Sequence, residues 1–258
     1  RTHFLGEYSM KKILALALAV VMLAAFASCG APAEKGKYLI ATDTTFAPFE
    51  FQDETGKYVG VDIDILAAIA EDQDFEYELQ PLGFDAACAA LESQQVDGVI
   101  AGMSITEERK NKYDFSEAYY DSGVTLAVKS DSDIKSYEDL KGKTIAVKTG
   151  TEGAAFAESI KDEYSLTLKY FDESPLMYQE VKTGGAAACA EDYPVMGYGI
   201  AQGNGLKMVG DKVQGSSYGF AVVKGKNAEL LEKFNKGLEN IKASGRYNEI
   251  LAKYIKAE

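Results

Sequence analysis

Apolar positions in this chain fall into two alternating rhythms. Short apolar runs bounded by polar or glycine-rich turns read as strands, and runs with apolar residues three and four apart read as helices. Tyr38–Thr42 (YLIAT) is the first strand. Phe46-Ala47-Pro48 makes a turn, Phe49-Glu50-Phe51 follows, and Asp53–Lys57 is a polar hairpin signal. Val59–Gln73 predicts a helix with Ile65, Leu66 and Ile69 on one face. Asp62 and Asp64 fall at its start, where carboxylates cap free N–H groups and suit the helix dipole. That placement marks both as structural rather than as a metal pair. Phe75–Gln80 reads as a strand, Asp85–Gln94 as a helix carrying Cys88 and Leu91, and Val96–Ile100 as a buried strand. A β-α-β-α-β rhythm predicts parallel strands joined by crossover helices.

A second unit of similar size follows. Ser136–Ile160 predicts a short helix, a strand at Thr144–Lys148, a tight turn, and a helix from about Glu152. Leu166–Phe171 and Ala186–Ala190 read as strands around a helix at Ser174–Thr183. Met208–Val209 and Tyr218–Val223 supply further strand, and Asn227–Tyr254 is helix interrupted at Ser244-Gly245. Extended connectors at Tyr119–Gly123 and Gln214–Tyr218 lie between the units. Two lobes joined by two strands leave a cleft at the carboxyl ends of the strands.

The first part of the chain follows a different pattern. Met10–Cys29 has a basic start at Lys11 and Lys12, then an apolar run from Ile13 to Ala27. That run is short for a membrane span and suits a secretion signal. It ends in Phe26-Ala27-Ser28-Cys29, which resembles a lipoprotein processing box with Phe26 in place of the usual leucine. Cys29 is the expected lipidation site; a plain secretion signal or an uncleaved anchor are the alternatives. Residues 1–9 read as an upstream extension, 10–28 as the signal peptide and 29–36 as a tether.

Composition narrows the chemistry. The 258 residues carry 27 Lys+Arg against 40 Asp+Glu, a formal charge of -13. Such an acidic chain is a poor partner for nucleic acid or anionic lipid, so contact with the membrane is expected only through the anchor. Apolar residues make up 47%, enough for a substantial core. The single histidine, His3, precedes the signal. The remaining chain therefore lacks the base of a Ser-His or Cys-His mechanism and any histidine metal ligand. Cys88 and Cys189 lie far apart in small apolar stretches, so buried free thiols are expected rather than a disulfide.

Seven stretches carry a family resemblance: ATDTTFAPFEF, GKYVGVDIDILAAIA, DGVIAGMSITEERK, YDFSEAYYDSG, DLKGKTIAVKTGTEG, EDYPVMGYGIA and SGRYNEI. Together they span nearly all of Lys37–Tyr254, and the chain resembles the polar amino-acid-binding proteins of ABC importers, most of all the glutamine-binding group. The resemblance implies an α/β chain with the type II periplasmic-binding-protein fold. Lobe 1 would comprise residues 37–120 and 219–258, lobe 2 residues 124–214, with hinges near 119–123 and 214–218. It implies a monomer outside the cytoplasm that captures an L-amino acid and delivers it to an ABC permease, with no cofactor and no catalytic residue.

A free amino acid offers a carboxylate, an ammonium and a side chain. Arg109 follows the Val96–Ile100 strand, and a guanidinium matches a carboxylate with two parallel hydrogen bonds. Read alone, the stretch also fits a capped helix with a solvated arginine. The resemblance implies that Arg109 and Ser104 hold the α-carboxylate and that a carbonyl of Ala101 or Gly102 accepts from the α-ammonium. On the other lobe, the turn before Thr151 and Glu152 offers free N–H groups to an anion. Asp192 is implied as the partner of the α-ammonium, while Glu191 stands where glutamine binders often carry histidine. Asp43, Phe46, Phe84 and Lys148 are the expected side-chain pocket. One acceptor and one donor suit a carboxamide, hence glutamine; Glu152 would favour arginine or lysine instead, and cystine is a further alternative. Two other classes remain open at this point: a cyclohexadienyl dehydratase-like enzyme using Glu152 or Glu191 as acid, and the sensor domain of a receptor.

Overall fold

The computed structural model describes residues 36–255. The expected signal peptide, the expected lipidation site Cys29 and the expected tether up to residue 35 lie outside the described residues.

The first apolar runs build one parallel core. β1 (Tyr38–Thr42) is followed by a small antiparallel sheet of β2 (Thr45–Phe46), β3 (Glu50–Gln52) and β4 (Tyr58–Val59). Helix α1 (Val61–Asp72) then leads to β5 (Tyr77–Pro81), α2 (Phe84–Glu92), β6 (Gly98–Val99) and β7 (Tyr113–Phe115). α1 starts two residues later than the apolar pattern suggests, because Gly60 has φ +136° and a Cβ there would sit 2.1 Å from the Phe49 carbonyl oxygen. Its face of Val61, Ile65, Leu66 and Ile69 is fully buried. β1 pairs in parallel with β5 and with β6.

β8 (Tyr120–Lys129) then begins a second sheet. It is completed by β9 (Thr144–Lys148), α3 (Glu152–Ile160), β10 (Thr167–Phe171), α4 (Ser174–Lys182), β11 (Ala188–Asp192), α5 (Tyr193–Ala201) and β12 (Leu206–Tyr218). Its strand order is β10-β9-β11-β8-β12, with β9, β10 and β11 parallel and β8 antiparallel to both β11 and β12. β13 (Ala221–Val223) returns to the first sheet, whose order is β5-β1-β6-β13-β7. α6 (Ala228–Ala243) and α7 (Arg246–Tyr254) close the first lobe, separated by Gly245 at φ +84°.

β8 and β12 are much longer than their sequence signals. Glycines and serines hide the strand pattern at Tyr120–Gly123 and around Ser216, yet Tyr120 pairs with Tyr218, Asp121 with Ser217 and Ser122 with Ser216. The two extended connectors are thus one antiparallel ribbon between the sheets. Other expectations also change. Val96–Ile100 yields only the two-residue β6, because the segment meets β1 at just two positions. Arg109 opens a short 3-10 turn, Arg109–Asn111, rather than a helix. Asp62 makes no capping bond at α1; it is buried and turned inward. Cys189 is buried and free as expected, whereas Cys88 is also free but only partly buried.

The first lobe's core is centred on the aromatic residues of the returning chain. Phe220 and Phe234 stack with centroids 4.5 Å apart and an 8° interplanar angle, both fully buried. Removing a buried Phe side chain costs about 3–5 kcal/mol through lost transfer energy and the cavity left behind. Phe234→Ala is therefore expected to lower the unfolding free energy by about that amount, measured by urea titration followed by circular dichroism.

Candidate functional site

Both sheets deliver polar residues to the same place because parallel strands all end on one side. From the first lobe come Asp43 just after β1, Phe46 in β2, Phe84 at the start of α2, and Ala101, Gly102, Ser104 and Arg109 after β6. From the second come Thr151 and Glu152 at the start of α3, and Asp192 at the end of β11. These residues line one cavity. Lys148, the last residue of β9, is not among the lining. It forms a buried ion pair with Asp43 instead, both side chains 1% exposed. The expected independent donor and acceptor are thus a single neutral pair joining the lobes.

A second contact crosses between the lobes. Arg109 Nη1 donates to the Ser104 carbonyl at 2.9 Å, and Nη2 donates to the Gly150 carbonyl of the opposite lobe at 3.0 Å. Its guanidinium carbon lies 5.2 Å from the Phe84 ring centroid, within cation–π range. Neither carbonyl neutralises the charge, and Arg109 makes no ion pair among the described residues. The solvated-surface alternative for this arginine does not describe the geometry.

Asp192 is 5% exposed and accepts from the Tyr218 hydroxyl at 2.6 Å. Burial, reinforced by Glu191, raises its carboxyl from 3.8 to about 7, against the opposing pull of Tyr218 and Arg109. Glu191 itself faces away from the cavity. It accepts from Ser174 Oγ at 3.0 Å, Tyr178 OH at 2.7 Å and the Asp192 amide at 3.0 Å. Burial raises its pKa, with Lys148 pulling the other way.

Local chemistry fixes the remaining wall. Thr151 Oγ1 donates to the Lys148 carbonyl at 2.8 Å and accepts from the Ala154 amide at 3.2 Å, so its side chain caps α3. Gly102 has φ +53°, and a Cβ there would meet the Phe46 ring at 2.3 Å; only glycine lets the backbone reach that ring. Ser104 bridges to Tyr218. The cavity leaves about 10 Å³ for the centre of a water-sized sphere, roughly one water's worth.

Tyr218 is the site residue that strand and helix patterns miss. Its hydroxyl accepts from Ser122 Oγ at 3.0 Å and donates to Asp192, while its ring meets Phe49 at 5.0 Å edge-on. In the sequence Tyr218 is marked as the last residue of one connector, whose counterpart holds two tyrosines, Tyr119 and Tyr120.

The family model for bacterial extracellular solute-binding proteins, family 3, matches residues 38–257. The chain belongs to that family. It is 32% identical to the arginine-binding extracellular protein ArtP of Bacillus subtilis over 96% of this chain and all of that one. It is 33% identical to the glutamine-binding protein GlnH of the same organism's ABC transporter, over 96% and 99%. An ancestral arginine-binding protein solved with glutamine superposes at a TM-score of 0.79 with 42% identity, covering 86% of this chain and 99% of that one. The same ancestral protein solved with arginine superposes at 0.80. The fold is the two-lobed type II periplasmic-binding-protein fold. Among the described residues no helix is long and apolar enough to cross a membrane.

Removing one partner of a buried ion pair costs about 3–5 kcal/mol. In this protein that cost falls on the closed arrangement, because separating the lobes returns Asp43 to water. Lys148→Met is therefore expected to enlarge the radius of gyration in small-angle scattering while the far-ultraviolet circular dichroism stays unchanged. An unaltered scattering curve would show that the pair does not hold the lobes together.

Proposed function

We propose that this solute-binding protein captures a polar L-amino acid between its lobes and delivers it to an ABC permease. The observation that carries this reading is the pairing of Arg109 and Asp192 in one cavity, each without an ion-pair partner among the described residues. An α-carboxylate on Arg109 and an α-ammonium on Asp192 satisfy both charges at once. Ser104, Thr151 and the Glu152 backbone add donors to the carboxylate, and Phe46 and Phe84 flank the aliphatic stem. The ribbon of Tyr119–Gly123 and Gln214–Tyr218 serves as the hinge. The protein works outside the cytoplasm, held to the membrane by lipid on Cys29, as a monomer.

Glutamine is the preferred ligand in this reading. The Asp43–Lys148 pair is neutral overall, so the side-chain end offers hydrogen-bonding partners without net charge, and a carboxamide needs just that. Arginine is the second reading, supported by Glu152, a carboxylate on the cavity wall with no ion pair among the described residues. Relatives named for each ligand occur at similar identity. The role is binding without turnover: Glu191, one of two candidate acids, already accepts three hydrogen bonds away from the cavity.

A thermal-shift screen of the common amino acids tests this reading. Ligand at a hundred times its Kd stabilises by about 2.7 kcal/mol, and glutamine is expected to give the largest shift. A larger shift with arginine would move the assignment to Glu152, and no shift with any amino acid would end the proposal. Arg109→Lys is expected to weaken binding at least tenfold, about 1.4 kcal/mol, with the melting temperature of the free protein preserved.

Affinity also depends on pH. Only the ionised form of Asp192 pairs with an ammonium, and burial raises that group to about 7 in the closed site. Below about pH 7 the ligand must displace a proton, so affinity falls as pH falls, approaching tenfold per unit. Calorimetric titration in buffers of different ionisation enthalpy is expected to show proton release near neutrality, and Asp192→Asn should abolish it.

A further inference from the structure

Behind the cavity wall lie buried oxygens with no visible partner. Glu50 and Asp62 are both fully buried. Both carboxylate oxygens of Glu50, and Oδ1 of Asp62, lack a hydrogen-bond donor. The two residues are neighbours, since the Asp62 amide donates to the carbonyl of Phe49, the residue before Glu50, at 3.0 Å. Three orphan oxygens on two adjacent buried carboxylates carry a heavy cost if both groups are ionised. One proton between them removes most of it: the protonated member donates to the other, and a single negative charge remains.

That remaining charge has a defined use. Asp62 Oδ2 accepts from the Gly102 amide at 2.7 Å and from the Tyr119 hydroxyl at 2.7 Å. Gly102 lines the cavity, whereas Asp62 does not. The only cis bond among the described residues is Ala47–Pro48, so the Ala101–Gly102 peptide is trans and its C=O points opposite to its N–H. With the N–H drawn back to Asp62, the Ala101 carbonyl faces the other way, on the cavity side. A hydrogen bond to a carboxylate also polarises the peptide and strengthens its carbonyl as an acceptor.

We propose that Glu50 and Asp62 share one proton and act as a positioning pair, with Asp62 holding the Ala101–Gly102 peptide so that its carbonyl meets the ligand's ammonium. The ligand half of this statement rests on the function proposed above; the shared proton does not. Direction and cause agree with the geometry. Burial, Asp62 and Asp43 raise Glu50 well above the usual carboxylate range, against the pull of Lys148. Burial raises Asp62 to about 6, against Tyr119, the Gly102 amide and a hydrogen bond from Glu50. From α7, Tyr247 is the further titratable group that feels Asp62. Glu50 therefore holds the proton and Asp62 the charge. Tyr119, which sits beside the ribbon between the sheets and receives the Tyr247 hydroxyl on its carbonyl, ties the same charge to the hinge.

Carboxyl-carbon and amide NMR of the unaltered protein decides the matter without any ligand. At about pH 8, where ordinary carboxylates are ionised, one carboxyl of the pair is expected to report as protonated. As pH is lowered, the Gly102 amide proton is expected to shift with the midpoint of Asp62. Two ionised carboxyls at about pH 8, or a Gly102 amide indifferent to the titration, overturns the proposal. Binding supplies the second arm, with glutamine and arginine as probes. Glu50→Leu removes the donor to Asp62 and is expected to cost about tenfold in affinity. Glu50→Gln, which still donates, should restore most of it. Wild-type affinity in a folded Glu50→Leu variant also overturns the positioning role. If neither amino acid binds the unaltered protein, the glutamine and arginine assignments fail, and the NMR titration still decides the pair.

Discussion

Charge buried between two lobes has to be answered from the opposite lobe or from behind. This constraint organises the structure. Asp43 in the first lobe is answered by Lys148 in the second. Arg109 reaches across to the Gly150 carbonyl. Asp192 leans on Tyr218, at the end of the connecting ribbon. Asp43, Lys148 and Asp192 are buried, and burying an unpaired charge costs far more than a surface ion pair returns. Among the described residues, Arg109, Asp192 and Glu152 line the cavity without an ion-pair partner.

The fold serves that constraint through strand direction. Parallel strands end on one side, so β1, β6, β9 and β11 bring their following residues to a common edge. The antiparallel ribbon of β8 and β12 joins the sheets while keeping its own backbone hydrogen-bonded. Aromatic residues fill the joint: Tyr218 stands 5.0 Å from Phe49 and stacks near Tyr120 at 6.1 Å. The pairing of the ribbon shifts register between Val209 and Val213 and again between Val213 and Ser216. Behind the wall, Asp62 links Gly102 and Tyr119 through two 2.7 Å hydrogen bonds, so cavity and joint share one buried carboxylate.

The alternation of elements is written in the apolar pattern, and most cavity residues are named by the family resemblance. Apolar periodicity marks β1, α1, α2, β9, β10 and α4 to within a few residues, because burial of one face is a local property of the pattern. Arg109, Asp192, Phe46 and Phe84 stand out through the family resemblance; without it Arg109 fits a solvated arginine on a capped helix equally well. How these groups pair is set by the fold. Asp43 and Lys148 look like separate ligand contacts until 105 positions of chain bring them together. Asp62 looks like a helix-start carboxylate, and its burial against Gly102 and Tyr119 depends on contacts 40 and 57 positions away. Glu191 sits beside Asp192 in sequence and turns to the other face, since successive residues of a strand point in opposite directions. Charge partnership is a long-range property: one residue's type gives its sign, but the fold alone brings the group that answers it.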